Sequence, residues 1–294
     1  MSKSAIPLPV TPSPGGRKHS MKTFALALGG GGARGLAHVA VIEALDEMGI
    51  RPVAIAGTSI GALIDAAYAA GMRGKDIRHY VVALAHKPGE IRRRLMKARA
   101  GTLAQFFSGA FSQATLMDAE KFCAQFLPDV VPADFSALEI PLTVIATDLH
   151  RRLELPLSEG PLYPAVAASV AIPGLFRPVL IDGRVLIDGG TTNPLPFDRL
   201  AGLADFVVAV DLTAAPDIER VDLPSTWECV FTSALVMSGA IVSAKLAHKA
   251  PDVLVRPNVG IFRTLDFYQA SAILRSAEAT KAVVKEQLGA LLAS

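Results

Sequence analysis

The sequence is poor in cysteine, in charge and in long apolar runs, and each shortage excludes a class of protein. Its 294 residues include only Cys123 and Cys229, without Cys-x-x-Cys spacing, so neither a disulfide framework nor a zinc cluster is available. Charged residues make up 19% and hydrophobic residues 51%, which excludes a chain disordered throughout. The 29 Lys and Arg nearly balance the 27 Asp and Glu, so no domain-wide basic field is present and we expect no nucleic-acid partner.

Neither a secretory signal nor a membrane-spanning helix is evident. Residues 1–22 are rich in Pro, Ser and Gly and lack an apolar core, so they predict a disordered leader. The most apolar stretch, 229–244, has 16 uncharged residues before Lys245, fewer than the roughly 18 needed to span a bilayer. It predicts a buried or interfacial helix. Together with the scarcity of cysteine, these features favour a cytoplasmic protein, with peripheral membrane contact as an option.

A strand, a glycine-containing turn and a helix occur twice in succession near the start. Residues 24–28 form an apolar run of strand length that ends in four glycines, and helical spacing follows as far as Met48. Residues 52–56 predict a second buried strand, and 60–70 a second helix. Two such units in a row indicate an α/β fold with a parallel sheet covered by helices.

Later segments extend this sheet. Further strands are predicted at 142–147, 206–210 and 253–255. Residues 179–188 consist of two apolar runs around Asp182-Gly183, which is a strong hairpin signal. The hairpin would deliver Asp188 to the end of a strand.

The first glycine turn, 29–35, suits the binding of an anion. Glycines let backbone N–H groups approach and point at negative charge, and the N-terminus of the following helix adds its partial positive charge. A dinucleotide site would also need an acidic residue near the end of the second strand, which is absent here. No Lys-Ser or Lys-Thr follows the glycines, so a P-loop is excluded.

The second turn, Gly57-Thr58-Ser59-Ile60-Gly61, has the G-x-S-x-G pattern of a serine nucleophile. A sharp turn between strand and helix would lift Ser59 above the sheet, with glycines on both sides to avoid collisions. The simpler interpretation is that Ser59 only caps the helix, since Ser is favoured there.

A serine hydroxyl needs a base. His248 is the only histidine after Asp188, and its Lys-flanked stretch is typical of a solvated helix end. The other candidate is Asp188, followed by Gly189 and Gly190. An aspartate there could simply cap a turn, and it would act as a base only in a site dry enough to raise its pKa.

These residues resemble the patatin-like phospholipase family, in its bacterial branch. The resemblance rests on segments in the family's order: 28–35 with Ala37-His38, 57–63, 146–149, 167–176, and 188–190 with 193–196. Two departures are visible. Asp188 is followed by Gly-Gly where many members have Gly-Ala, and His150-Arg151-Arg152 replaces a glycine-containing turn.

The resemblance implies a three-layer α/β/α fold with a mainly parallel central sheet. It implies a dyad without histidine, with Ser59 as nucleophile and Asp188 as base. It places four residues around the oxyanion hole: Gly30, Gly31, Gly32 and Arg34. Five further glycines complete the motifs: Gly35, Gly57, Gly61, Gly189 and Gly190. It also implies a lipid acyl hydrolase, such as a phospholipase, lysophospholipase or lipid esterase, that forms an acyl-enzyme and needs no metal or cofactor.

We therefore expect a patatin-like domain over 23–215, a helical insertion at about 72–127, and a mostly helical extension over 216–294 packed on the same domain. Residues 72–99 hold nine basic and two acidic residues, and phenylalanines follow. This pattern favours contact with an anionic membrane surface, although an ordinary amphipathic cap would look the same. A non-catalytic nucleotide- or lipid-binding module is the alternative function.

Overall fold

The computed structural model describes residues 22–99, 117–214 and 223–293. The predicted leader, except its last residue, and the phenylalanine-rich segment within 100–116 lie outside the described residues.

One mixed sheet organises the described residues. Its order is β5-β6-β3-β2-β1-β7-β8, and β4 pairs with β3 outside this path. Neighbours among β3, β2, β1, β7 and β8 are parallel, and the pairs β3–β4, β3–β6 and β5–β6 are antiparallel. The strands are β1 (Phe24–Leu28), β2 (Ala54–Thr58), β3 (Leu142–Asp148), β4 (Leu153–Leu157), β5 (Val179–Ile181), β6 (Arg184–Asp188), β7 (Phe206–Val210) and β8 (Val253–Val255).

Alternate residues of β1 point into two different cores, which is what a sheet covered on both faces requires. Phe24, Leu26 and Leu28 belong to the larger core. Ala25 and Ala27 belong to the smaller one. The sheet is therefore the middle layer of three, and the predicted α/β/α fold with a mainly parallel sheet is confirmed.

Helices supply the outer layers. The larger core takes residues from α1, α2 and α9, whereas the smaller core takes Val242 of α7 and Phe197. The α-helices of the described residues are α1 (His38–Glu47), α2 (Ile60–Ala69), α3 (Gly74–Ala85), α4 (Pro88–Lys97), α5 (Ala119–Phe126), α6 (Leu162–Ser169), α7 (Thr226–His248), α8 (Ala270–Ser276) and α9 (Thr280–Ala293).

Two elements differ from the sequence-based expectation. Strand β4 was not predicted, because Glu154 and Pro156 interrupt its apolar pattern; proline is tolerated there because β4 pairs with β3 alone. Helix α7 is longer than the 229–244 stretch and is mostly exposed, since only 6% of its most apolar 18-residue window is buried. Of the two alternatives, the buried helix is therefore wrong and the interfacial helix stays a prediction. By length and composition, α7 could cross a membrane.

The predicted insertion and extension both contain helices in their described parts. Helices α3, α4 and α5 fall within 72–127. The extension contributes α7, α8 and α9 and also strand β8, which pairs with β7 in the common sheet. The division at 215 stays a prediction.

Strands β2 and β6 meet end to end along one edge of β3. Strand β4 occupies the other edge of β3 from Val144 to Asp148. On the edge of β3 opposite β4, Thr58 of β2 pairs with Ile145 and Asp188 of β6 pairs with Ala146. Because β2 is parallel and β6 antiparallel to β3, their carboxyl ends converge on adjacent positions of β3.

The hairpin that carries Asp188 turns through two residues with positive φ. Asp182 has a φ of 49° and Gly183 a φ of 73°. Positive φ at both central residues is typical of the type I′ turn, whose twist matches that of paired strands. The Asp-Gly pair therefore sets the register between β5 and β6.

Replacing Gly61 with alanine should destabilise the fold strongly. A Cβ at Gly61 would lie 2.1 Å from the carbonyl oxygen of Leu28, so β1 or α2 must move. We expect a loss of about 3 kcal/mol or more in the free energy of unfolding, measured by urea denaturation. In the control Gly89→Ala, on α4, the new Cβ meets nothing within 4 Å, and stability should stay equal or rise. Equal stability of the two variants would contradict this packing.

Candidate active site

Ser59 sits in a strained turn between β2 and α2. Its φ of 57° and ψ of −123° are unusual for a residue with a side chain and cost about 1–3 kcal/mol. The flanking glycines make the turn possible. A Cβ at Gly57 would lie 2.2 Å from Asp65 Oδ2, and Gly61 is equally confined by Leu28. The turn therefore directs a buried serine away from the helix that follows it.

The Ser59 hydroxyl is bound to Asp188. Its Oγ donates a hydrogen bond of 2.7 Å to Asp188 Oδ2, and both residues are buried. The Ser59 side chain makes no capping hydrogen bond to α2, so the cap-only interpretation is wrong. The other carboxylate oxygen, Oδ1, accepts the N–H of Gly190 at 2.7 Å. Gly189 keeps β6 close to β3, since a Cβ there would lie 2.1 Å from the Ile145 carbonyl oxygen.

The surroundings make Asp188 more basic than an ordinary aspartate. Burial raises the pKa of its carboxyl to about 6, although the hydrogen bonds from Ser59 and Gly190 pull the pKa down. At neutral pH the group is therefore still mainly ionised. Asp188 therefore lies in surroundings dry enough to raise the pKa of its carboxyl.

Hydrogen bonds from remote residues hold both ends of this pair. The Ser59 N–H donates to Ser169 Oγ at 2.8 Å. Thr147 Oγ1 donates to the Asp188 carbonyl oxygen at 3.0 Å, and the Asp188 N–H donates to Ala171. Sequence reasoning assigned no role to Ser169 or Thr147. Both lie in segments that carry the family resemblance, but Ser169 is 110 residues from the serine it supports.

The first glycine turn lies against Ser59 and leaves two amides unused. A Cβ at Gly30 would be 3.5 Å from Ser59 Cβ. The Gly30 N–H donates to the Pro194 carbonyl oxygen at 2.9 Å, so Gly30 does not offer the free donor expected from its place in the motif. In the described part of the chain, the N–H groups of Gly31 and Gly32 have no acceptor. Gly32 has a φ of +59°, and a Cβ there would lie 2.2 Å from the Thr264 carbonyl oxygen.

A buried histidine positions this turn. His38 Nε2 lies 2.8 Å from the Gly29 carbonyl oxygen, which can only accept, so Nε2 carries the proton. Burial lowers the pKa of His38 to about 4, and the ring is neutral at pH 7. Gly35 closes the same region, since a Cβ there would meet Ile60 Cγ2 at 2.2 Å.

Arg34 lies beside the turn without a hydrogen bond to the dyad. Its side chain is 98% buried, and its Nε and Nη2 have no hydrogen-bond partner among the described residues. Burial lowers the pKa of its guanidinium, and the charge of Asp211 partly offsets this. Arg34 reaches a cavity of about 490 Å³ between α7 and residues 260–268, whose other walls include Trp227, Phe231, Leu235, Ile261, Leu265 and Tyr268.

The remaining candidates stand apart from the dyad. His248 is exposed at the end of α7, and the structure gives it no hydrogen bond to Ser59 or Asp188. The turn at 150–152, which differs from the family's glycine-containing turn, is supported by Asp148. Its Oδ1 accepts the N–H of Arg151 at 2.9 Å. Within 22–99, 117–214 and 223–293, no group of three or more His, Cys, Asp or Glu side chains could hold a metal ion.

The buried carboxyl of Asp188 should make stability depend on pH. Because its folded-state pKa of about 6 exceeds the unfolded value, the fold loses stability as pH rises from about 4 to above 6. Asp188→Asn does not titrate there. The free energy of unfolding of this variant, minus that of the wild type, should grow by about 2 kcal/mol between pH 4 and pH 7 in urea titrations. A difference independent of pH would mean an unperturbed carboxyl.

Comparisons with known proteins agree on one family. A model of the family described as patatin-like phospholipase matches residues 26–201. An uncharacterized NTE family protein of Mycobacterium tuberculosis is 38% identical over 200 residues, covering 68% of this chain and 51% of that protein. The lysophospholipase nte1 of Aspergillus niger is 29% identical over 274 residues, covering 84% of this chain and 17% of that protein. The chain thus spans about half the length of the mycobacterial relative.

Among solved structures, VipD from Legionella pneumophila superposes with a TM-score of 0.52 at 16% identity, covering 90% of this chain and 67% of that one. At this identity the likeness concerns the fold alone. The family model covers more than half of the chain, and its span contains both glycine turns and Asp188. The chain therefore belongs to the patatin-like phospholipase family.

Proposed function

We propose that this protein is a serine acyl hydrolase that cleaves lipid esters with a Ser59–Asp188 dyad. The observation that carries the proposal is the 2.7 Å hydrogen bond from Ser59 Oγ to Asp188 Oδ2 at a buried site. A hydroxyl bound directly to a carboxylate of raised pKa can lose its proton as it attacks a carbonyl carbon.

The reaction follows in two stages. In the first, Asp188 accepts the Ser59 proton while Oγ bonds to the ester carbonyl carbon, and the proton passes on to the departing alcohol. In the second, Asp188 takes a proton from water as the water oxygen attacks the acyl-serine. The proton then passes to Ser59 Oγ as its bond to the acyl group breaks and the fatty acid leaves. Each stage begins and ends with an ionised Asp188, so a pKa of about 6 suits work at neutral pH.

The negative oxygen that forms in both stages would be held by the N–H groups of Gly31 and Gly32. These amides are unpaired in the described part of the chain, whereas that of Gly30 is occupied by Pro194. One oxyanion donor is worth about 10²–10³-fold in rate, and a general base about 10²–10⁴-fold. The two devices therefore contribute comparably.

A lipid substrate is supported by the family and by a neighbouring cavity, whose lining includes Arg34 but neither Ser59 nor Asp188. The matching family is described as phospholipase, and the Aspergillus relative as lysophospholipase. The cavity beside Arg34 has mostly apolar walls, as an acyl chain requires. A phospholipid or lysophospholipid ester is thus the substrate class we favour, and the dyad as proposed uses no metal or cofactor.

A fluorophosphonate probe should label Ser59 covalently. The probe reacts only with an activated serine, so Ser59→Ala should remove labelling and esterase activity together. Ser243→Ala, which changes an exposed serine on α7, should be labelled like the wild type. In-gel fluorescence measures the labelling, and hydrolysis of an ester measures the activity. A folded wild-type protein that takes up no probe would instead support a non-catalytic binding module.

The pH dependence of hydrolysis should identify the base. Because Asp188 must be ionised, kcat/KM should rise with pH through an apparent pKa of about 6 and then level off. Asp188→Asn should lower kcat by about 10²–10⁴-fold. His248→Ala should leave the rate unchanged. A large loss in the His248 variant would favour a conventional triad over the dyad.

A further inference from the structure

Helix α7 exposes a long face without charge. Only Val242 is buried among its 23 residues. We call the exposed side the outer face of α7; its large residues are Val230, Val236 and Met237, exposed by 48%, 67% and 61%. The residues between them and beyond are small: Ser233, Ala234, Ala240, Ser243, Ala244 and Ala247. An apolar face of this length is rare on a protein surface that meets only water.

The charged residues of α7 lie on its inner side. Glu228 pairs with Arg263 at 3.1 Å. Lys245 donates to Asn193, Asp198 and the Leu195 carbonyl oxygen. In an ordinary surface helix the charges face water and the apolar residues face the core. Here apolar residues such as Val242 and Leu246 also face the domain, so α7 is apolar on both sides and its outer face suits an apolar medium.

Helix α7 adjoins the candidate active site. Ser238 Oγ on the inner side donates to the Gly190 carbonyl oxygen at 3.2 Å, two residues after Asp188. The cavity that reaches Arg34 opens between the first half of α7 and residues 260–268. Phe267 and Tyr268 of that segment are also exposed, Tyr268 by 79%. Trp227 and Tyr268 are therefore exposed and also line the cavity whose wall includes Arg34, beside the glycine turn.

A second copy of the chain is a poor occupant for this face. A helix of 23 residues is about 35 Å long, and a face about 10 Å wide presents roughly 350 Å². Stable protein interfaces bury about 800 Å² on each partner. A bilayer has no such minimum, and aromatic residues such as Trp227 and Tyr268 are favoured at its boundary with water.

We propose that the outer face of α7 docks on the surface of a phospholipid bilayer, with the helix lying in the plane of the membrane. The contacts of Ser238 and Lys245 keep α7 packed on the domain while its other side enters the lipid. Docking brings the cavity entrance to the layer in which lipid esters reside. The inference rests on the proposed function only for the statement that the bilayer supplies the substrate.

This surface differs from the basic segment identified in the sequence. Helix α4 exposes Arg92, Arg93, Met96 and Lys97, which would favour anionic lipid and would be sensitive to salt. The outer face of α7 carries no Lys, Arg, Asp or Glu, so its docking should occur on neutral lipid and persist at high salt. The lipid composition therefore separates the two surfaces.

The test is flotation of the full chain with phosphatidylcholine vesicles at low and high salt. We expect the wild type to float at both, and the double variant Val236→Glu with Met237→Glu to bind at least tenfold more weakly. The matched control is Val283→Glu, an exposed valine on α9, which packs on the opposite face of the sheet. It should float like the wild type. Hydrolysis of a soluble short-chain ester should be equal in all three, which reports folding and the dyad separately from docking.

Several results would overturn the proposal. The double variant could float as well as the wild type, or the wild type could ignore neutral vesicles. Flotation that needs anionic lipid and is abolished by salt would assign docking to α4. A wild-type dimer in light scattering that the double variant converts to a monomer, without vesicle binding, would assign the face to a second copy. A wild type that floats with vesicles but does not hydrolyse the soluble ester would contradict the dyad and leave docking in place.

Discussion

The meeting of Ser59 and Asp188 depends on a shared strand edge. Strand β3 offers one edge to β4, and on the other edge β2 and β6 abut with their ends at Ile145 and Ala146. The serine therefore needs no long side chain or mobile loop to reach its partner. Because the junction is buried, the pKa of the Asp188 carboxyl rises above that of an ordinary aspartate.

The surroundings stabilise this junction mainly through the backbone. Ser169, Thr147 and the Ala171 carbonyl group fix the main chain of the two residues, and His38 fixes the glycine turn opposite them. A strained φ at Ser59 and an ionised buried carboxylate both oppose folding. The packing of the sheet around the site offsets the cost of these two features, as is common at functional sites.

The sequence predicted what local patterns encode. Apolar runs located β1, β3, β7 and β8, and the Asp-Gly pair located the hairpin that ends at Asp188. It could not predict that Pro194 would take the Gly30 amide, because that contact joins residues far apart in the chain. It also could not reveal the exposure of α7, since the same composition suits a core helix. The roles of Ser169 and Thr147 could not be predicted either, because their hydrogen bonds to Ser59 and Asp188 join residues far apart in the chain.

The hairpin turn at Asp182-Gly183 determines which way the side chain at position 188 points, at the other end of β6. Side chains alternate between the two faces of a strand, so a shift of β6 by one position would point the residue at 188 away from the serine. The positive φ angles at the turn fix the phase of the strand. A two-residue loop on the surface thus aligns Asp188 with Ser59, and lengthening it by one residue would turn the side chain at 188 away from the serine without altering either residue.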